Sequence, residues 1–179
     1  MDAALRIVID MNEFVWNRLI GDLKDLPPEE VNWRPLPQAN NISTIVRHLR
    51  IEAEWQVNSI ERGELMDNDQ SLVDKVGFDY EENLKKLHEL CPRFIAALRN
   101  LDENTLQKQS RLVYEELATK HGVSVPPHFL SFHHPLHLCS HWGQIRTIRT
   151  LYRKTRGEPI PPEFYPDNPS YPPSDSAKR

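Results

Sequence analysis

PHFLSFHHPLHLCSHWGQIRTIRTLYRKT, residues 127 to 155, decides how this chain is read. Leu130, Leu138, Ile145, Ile148 and Tyr152 recur at helical steps among histidines, so the stretch predicts one long helix. Pro135 must either kink that helix or mark its true first turn. His137 and His141 stand four residues apart, which offsets them by about 40° and separates them by about 6 Å along the axis. They therefore share a face, and further steps of four and three along it reach Ile145 and Ile148. That face is expected to point into a core.

Working outward, three more helices are expected. Leu5, Val8, Ile9, Val15, Trp16, Leu19 and Leu23 form one stripe over residues 3 to 24. Leu26-Pro27-Pro28 ends this helix, and Pro35 and Pro37 predict an extended connection as far as Asn41, whose side chain can cap the next. Ile42, Ile45, Val46, Leu49, Ala53, Val57 and Ile60 mark a helix over 42 to 62, with Gly63 placed for a C-terminal cap. Residues 64 to 78 lack periodicity and read as a link. Asp79 and Glu82 have the form of a capping box, and Leu84, Leu87, Leu90, Phe94, Ala97, Leu98 and Leu101 predict a helix over 80 to 101 that contains Pro92. Residues 102 to 126 stay irregular in this reading. The last 23 residues carry 7 of the 15 prolines and predict an extended tail. Helices with no clear strand give an all-α chain, an antiparallel-type four-helix bundle over 1–156 followed by a Pro-rich tail over 157–179.

A length of 179 residues suits one domain. Lys and Arg number 22 against 26 Asp and Glu, a formal net charge of −4 without a dense basic run, so nucleic acid is not an expected partner. The longest apolar run, Phe94 to Leu98, is far too short for a membrane span. Two cysteines, Cys91 and Cys139, cannot build a disulfide framework and fit a reducing cytoplasm.

The chemistry concentrates in the histidines. His48, beside Ile45 and Leu49, is expected to face inward, so His48, His137 and His141 can form a three-nitrogen metal site with open positions. A helical histidine pair alone is more often solvated or simply hydrogen-bonded. Leu138 stands where a zinc metalloprotease helix needs Glu, no paired Glu-x-x-His motif supports a di-iron centre, and two isolated cysteines exclude a zinc finger. Glu52, one turn beyond His48, reads as a metal-site acceptor, a general base or an ordinary solvated carboxylate. Gln144 lines the site or serves structure. Cys139 points away from the His137/His141 face and reads as packing, as do Trp16, Trp55 and Trp142. Arg146 and Arg149 read as surface cations near a helix C-terminus.

The run Leu26-Pro27-Pro28-Glu29-Glu30-Val31-Asn32-Trp33-Arg34-Pro35, then Asn40-Asn41-Ile42-Ser43 with His48-Leu49, and finally His137-Leu138-Cys139-Ser140-His141-Trp142-Gly143-Gln144-Ile145, resembles the DinB/YfiT-like superfamily of metalloenzymes over nearly the whole chain. The resemblance implies a four-helix bundle, often a homodimer, with His48, His137 and His141 as ligands of a divalent metal, commonly Zn or Ni. It implies a small-molecule substrate and thiol S-transfer or isomerisation with a low-molecular-weight thiol. Metal-dependent hydrolysis, or a non-catalytic stress-related dimer with a structural or vestigial metal site, are the alternatives. Ergothioneine-forming relatives carry a Glu where Gly143 stands, which argues against an iron oxygenase. His133, His134 and Pro135 depart from the pattern and are expected to alter the mouth of the site.

Overall fold

The computed structural model describes residues 3–62, 70–101, 104 and 129–160. Six helices occur among them: α1 (Ala3–Leu23), α2 (Pro28–Asn32), α3 (Ile42–Arg62), α4 (Gln70–Lys75), α5 (Tyr80–Arg99) and α6 (Phe129–Arg156). The four long ones match the periodic segments. Every residue of the α1 stripe is buried, and Ile42, Ile45, Val46, Leu49, Leu87 and Phe94 meet it in one core. Leu138, Ile145 and Ile148 complete that core from α6. Asn41 caps α3 as its side chain allows, accepting from the Thr44 N–H at 2.8 Å. Asp79 caps α5 through the Glu82 N–H at 2.7 Å, but Glu82 reaches across to Arg50, so only half of the capping box forms. Both α5 and α6 continue through their internal prolines, Pro92 and Pro135. Gly63, residues 105–126 and the tail beyond Ile160 lie outside the described residues.

Two expectations are corrected. The connection before Asn41 contains α2, where Pro28 occupies the first helical position, a place that needs no N–H. This helix of five residues is too short to show a period, yet it buries Val31 and Glu30. The link over 64–78 likewise contains α4, again too short for a stripe.

The directions of the helices also differ from a simple antiparallel bundle. Arg50 reaches Glu82 near one end of α3 and Arg93 reaches Glu61 near the other, so α3 and α5 run the same way. Arg99 pairs with Glu13 while the Tyr80 hydroxyl donates to the Leu23 carbonyl, so α5 opposes α1. His48 meets His141 while Glu52 meets His133, so α6 opposes α3. The order is up, down, down, up. Returning the chain across the roughly 30 Å length of α3 requires a long connection, and the segment from 63 to 79 is long enough to span it.

Candidate metal centre

Two elements build the centre: α3 supplies His48 and Glu52 one turn apart, and α6 supplies His133, His137 and His141 on successive turns. The His137 Nε2 lies 3.0 Å from the His48 Nε2 and 3.0 Å from the His141 Nε2. One ring nitrogen offers a single proton or a single lone pair, so His137 cannot satisfy both neighbours by hydrogen bonding. A shared cation can. Metal–nitrogen bonds of about 2.0–2.1 Å in a tetrahedron place ligand nitrogens about 3.3–3.4 Å apart, within a few tenths of an ångström of both spacings from His137, and all three ligand atoms lie within 4.8 Å of one another. The donor set therefore fits a divalent ion, and these three are the donors that converge among the described residues.

The site lies at the margin of the bundle, not within it. His137 and His141 are half-buried and His48 is exposed, which corrects the expectation that all three face the interior. The helical period placed His48 on the correct side of α3, but it carries no information on how deeply α6 covers that side. A cavity of about 310 Å³ opens beside the rings, walled by Thr44, Arg47, Ile51 and Glu52 of α3, by Val73 of α4 and by His141. The sequence reading missed Arg47 and Val73. The first is one of many arginines, and the second belongs to a helix without a period.

Burial and its neighbours fix the protonation of the cluster. Burial pushes His137 down to about 4, with the charge of His141 adding to the effect. His141 is also lowered, by burial and then by His48. Neutral imidazole is the ligating form, so both rings are ready at neutral pH. The Gln144 Oε1 lies 3.0 Å from the His141 Nδ1, so that nitrogen carries the proton and the Nε2 lone pair turns toward the cluster. The His137 Nδ1 is buried with no hydrogen-bond partner among the described residues.

Glu52 is part-buried, 3.5 Å from the His133 Nε2, and accepts from the Gln56 amide at 3.1 Å. Burial raises its pKa, but the hydrogen bonds from His133 and Gln56 and the nearby His137 outweigh this and bring it to about 2. His133 stacks on His137 with ring centroids 5.4 Å apart. His134 takes no part in the cluster. It sits fully inside the core, 4.3 Å from the Phe94 ring and 5.9 Å from Trp16, and burial lowers its pKa to about 3. Only one of the two extra histidines therefore lies beside the site. Cys139 packs against the core as expected, and burial raises its thiol pKa; Cys91 is pushed up to about 12 for the same reason.

Trp142, Arg146 and Arg149 lie on another face of α6. The Asp22 Oδ2 accepts from the Trp142 Nε1 at 2.5 Å and from the Arg146 Nε at 2.6 Å. The Arg149 Nε donates to the Glu30 Oε1 at 2.7 Å, and its Nη1 donates to the Asp22 carbonyl at 2.8 Å. Arg149 is buried and Arg146 half-buried, which corrects their reading as surface cations. Their partners come from α1 and α2, more than a hundred residues away in sequence.

No described helix is long and apolar enough to cross a membrane. No curated protein and no solved structure matches the chain. The family model for mycothiol S-transferase matches residues 11–154, from α1 through both histidine-bearing helices almost to the end of α6. A helical bundle, a three-histidine cluster and this match over most of its length agree: the chain belongs to the mycothiol S-transferase family, a DinB/YfiT-like and metal-dependent group.

Proposed function

We propose that this chain is a metal-dependent thiol S-transferase in which His48, His137 and His141 hold one divalent cation, zinc or nickel. The observation that carries the reading is the convergence of three Nε2 atoms beside an accessible cavity, with no fourth side-chain donor converging among the described residues. A divalent cation there supplies a Lewis acid that lowers the pKa of a thiol or water reaching it. The remaining work belongs to the chain. Gln144 sets the tautomer of His141. Glu52 holds an ionised carboxylate against His133 and beside His137; with so low a pKa it is a weak base, so it serves to orient rings and balance charge, not to abstract protons. Both cysteines stay protonated near neutral pH, so the reacting thiol comes from a small-molecule substrate.

The test combines elemental analysis with a conjugation assay. About one zinc or nickel per chain is expected in the purified protein and none in His137→Ala. Conjugation of mycothiol or another low-molecular-weight thiol to an alkylating fluorophore should disappear with a chelator and return with either ion. Metal-dependent ester hydrolysis without any need for thiol would replace this reading with a hydrolase. Metal binding without either activity would leave a structural site.

A further inference from the structure

We infer that the substrate bound beside the histidines carries a carboxylate and that Arg47 recognises it. The inference rests on the cavity being the substrate site of the proposed transferase, and it adds the chemical class that the cavity selects.

Arg47 precedes His48 on α3 and lines the same cavity. Its Nε donates to the Val76 carbonyl at 3.0 Å and its Nη2 to the Val73 carbonyl at 2.6 Å. The guanidinium also lies over the Phe78 ring, 4.4 Å from its centroid. These contacts hold one edge of the planar fork and one of its faces, and the edge formed by Nη1 and the second Nη2 hydrogen has no hydrogen-bond partner among the described residues. All of the partners are uncharged, and no carboxylate among the described residues pairs with Arg47. Its neighbour Arg50, by contrast, pairs with Glu54 and Glu82. A guanidinium held in this way, with one edge and its charge unpaired among the described residues, matches a planar carboxylate through two parallel hydrogen bonds.

The rest of the cavity restricts the anion further. Glu52 also lines it, one turn beyond His48, while Thr44 and Arg47 lie toward the start of α3. An anion at the Arg47 end avoids Glu52, and the planar edge of the guanidinium matches the two oxygens of a carboxylate. A sphere of the cavity's volume is about 8 Å across, so a carboxylate on Arg47 lies within the reach of a short mercapto acid from His48 and His141.

Titration calorimetry on the zinc-loaded protein with 3-mercaptopropionate and 2-mercaptoethanol, thiols of similar length, tests this. The acid should bind about tenfold more tightly or better, from charge-assisted hydrogen bonds. That ratio should fall to about 1 in Arg47→Gln, persist in reduced form in Arg47→Lys and stay at the wild-type value in Arg93→Gln. A ratio near 1 in the wild-type protein overturns the inference, and so does a full ratio in Arg47→Gln, which would place the carboxylate on the cation instead. Should Arg47→Gln fail to fold, succinate must still displace 3-mercaptopropionate from the wild-type protein about tenfold better than succinamide does, and Arg47→Lys must weaken that preference; otherwise the inference fails. Loss of conjugation with every thiol, with the preference intact, would remove the transferase reading alone. A ratio near 1 with conjugation intact would remove the carboxylate alone.

Discussion

Two faces of α6 bury polar groups in opposite ways. On one, Arg146 and Arg149 meet Asp22 and Glu30, and Trp142 adds a third donor to Asp22. Each charge has an opposite charge, so desolvation is offset locally. On the other, three imidazoles crowd together, two of them with lowered pKa, and a buried ring nitrogen of His137 has no partner among the described residues. Burial is compensated inside the protein on the first face and left for a ligand to compensate on the second. The difference separates an arrangement that ties α1 and α2 to α6 from one whose donor set fits a divalent cation.

The largest expected effect breaks the first face. Arg149→Ala leaves the Glu30 carboxylate, only 2% exposed, without its cation, and removal of one partner from a buried pair costs about 3–5 kcal/mol. Urea unfolding should show this loss while the surviving folded protein keeps its full metal content. A loss below about 1 kcal/mol would show that the Glu30 carboxylate reaches water once the arginine is gone.

Acid should act next, through buried histidines. His134 and His137 have folded pKa values below the ordinary 6.5, so the unfolded chain binds more protons than the native one below that pH. Their effect on stability is absent above about pH 6.5 and grows as pH falls toward about 4 for His137 and about 3 for His134. Glu52, lowered to about 2, has the depressed carboxylate behaviour, and its stabilisation is lost between about pH 4.5 and 2. Melting of metal-free protein at pH 7.5 and pH 5 should show the decline. His134→Leu should flatten it, because that ring lies in the core beside Trp16 and Phe94 and neither of its nitrogens has a partner among the described residues. An unchanged slope in His134→Leu would mean that the ring already reaches a proton acceptor in solution.

Metal removal sharpens the second face. At an ion concentration one hundred times the dissociation constant, binding to the folded state alone adds about 2.7 kcal/mol. Chelation should therefore lower the melting temperature of the wild-type protein and leave that of His137→Ala unmoved. In the absence of metal, His137→Ala should match or slightly exceed the wild-type stability, since it removes a crowded ring. An equal chelator response in both proteins would place the ion elsewhere.

The smallest effect serves as the control for both faces. Arg93 and Glu61 pair on the surface between α5 and α3, with side-chain exposures of 48% and 37%. Arg93→Gln should change stability by less than about 1 kcal/mol and metal content not at all. A larger change would mean that exposed pairs, and not only buried ones, tie these helices together.

The legible and illegible parts of the molecule divide by distance along the chain. The stripes of α1, α3, α5 and α6, the caps at Asn41 and Asp79 and the shared face of His137 and His141 all follow from neighbours within a few residues. Such neighbours meet whatever the rest of the fold does, so their spacing is enough to read them. The helices α2 and α4 escaped because five and six residues make fewer than two turns, too few for a pattern to repeat. Arg149 was misread for a different reason: its partner Glu30 lies 119 residues away, and no local pattern encodes the pairing.

The sequence by itself determined the four long helices, the stripes that form their core and three imidazoles suited to a metal. Tertiary structure decided that α5 runs parallel to α3, that His48 meets His137 across 89 residues of chain at an exposed margin, and that His133 joins Glu52 while His134 enters the core. It also decided that Arg47 faces a cavity while Arg149 enters an ion pair. Helical periodicity fixes the angle of a side chain about its own axis, whereas depth and partnership depend on which other helix covers that angle, and that is settled only when distant segments pack.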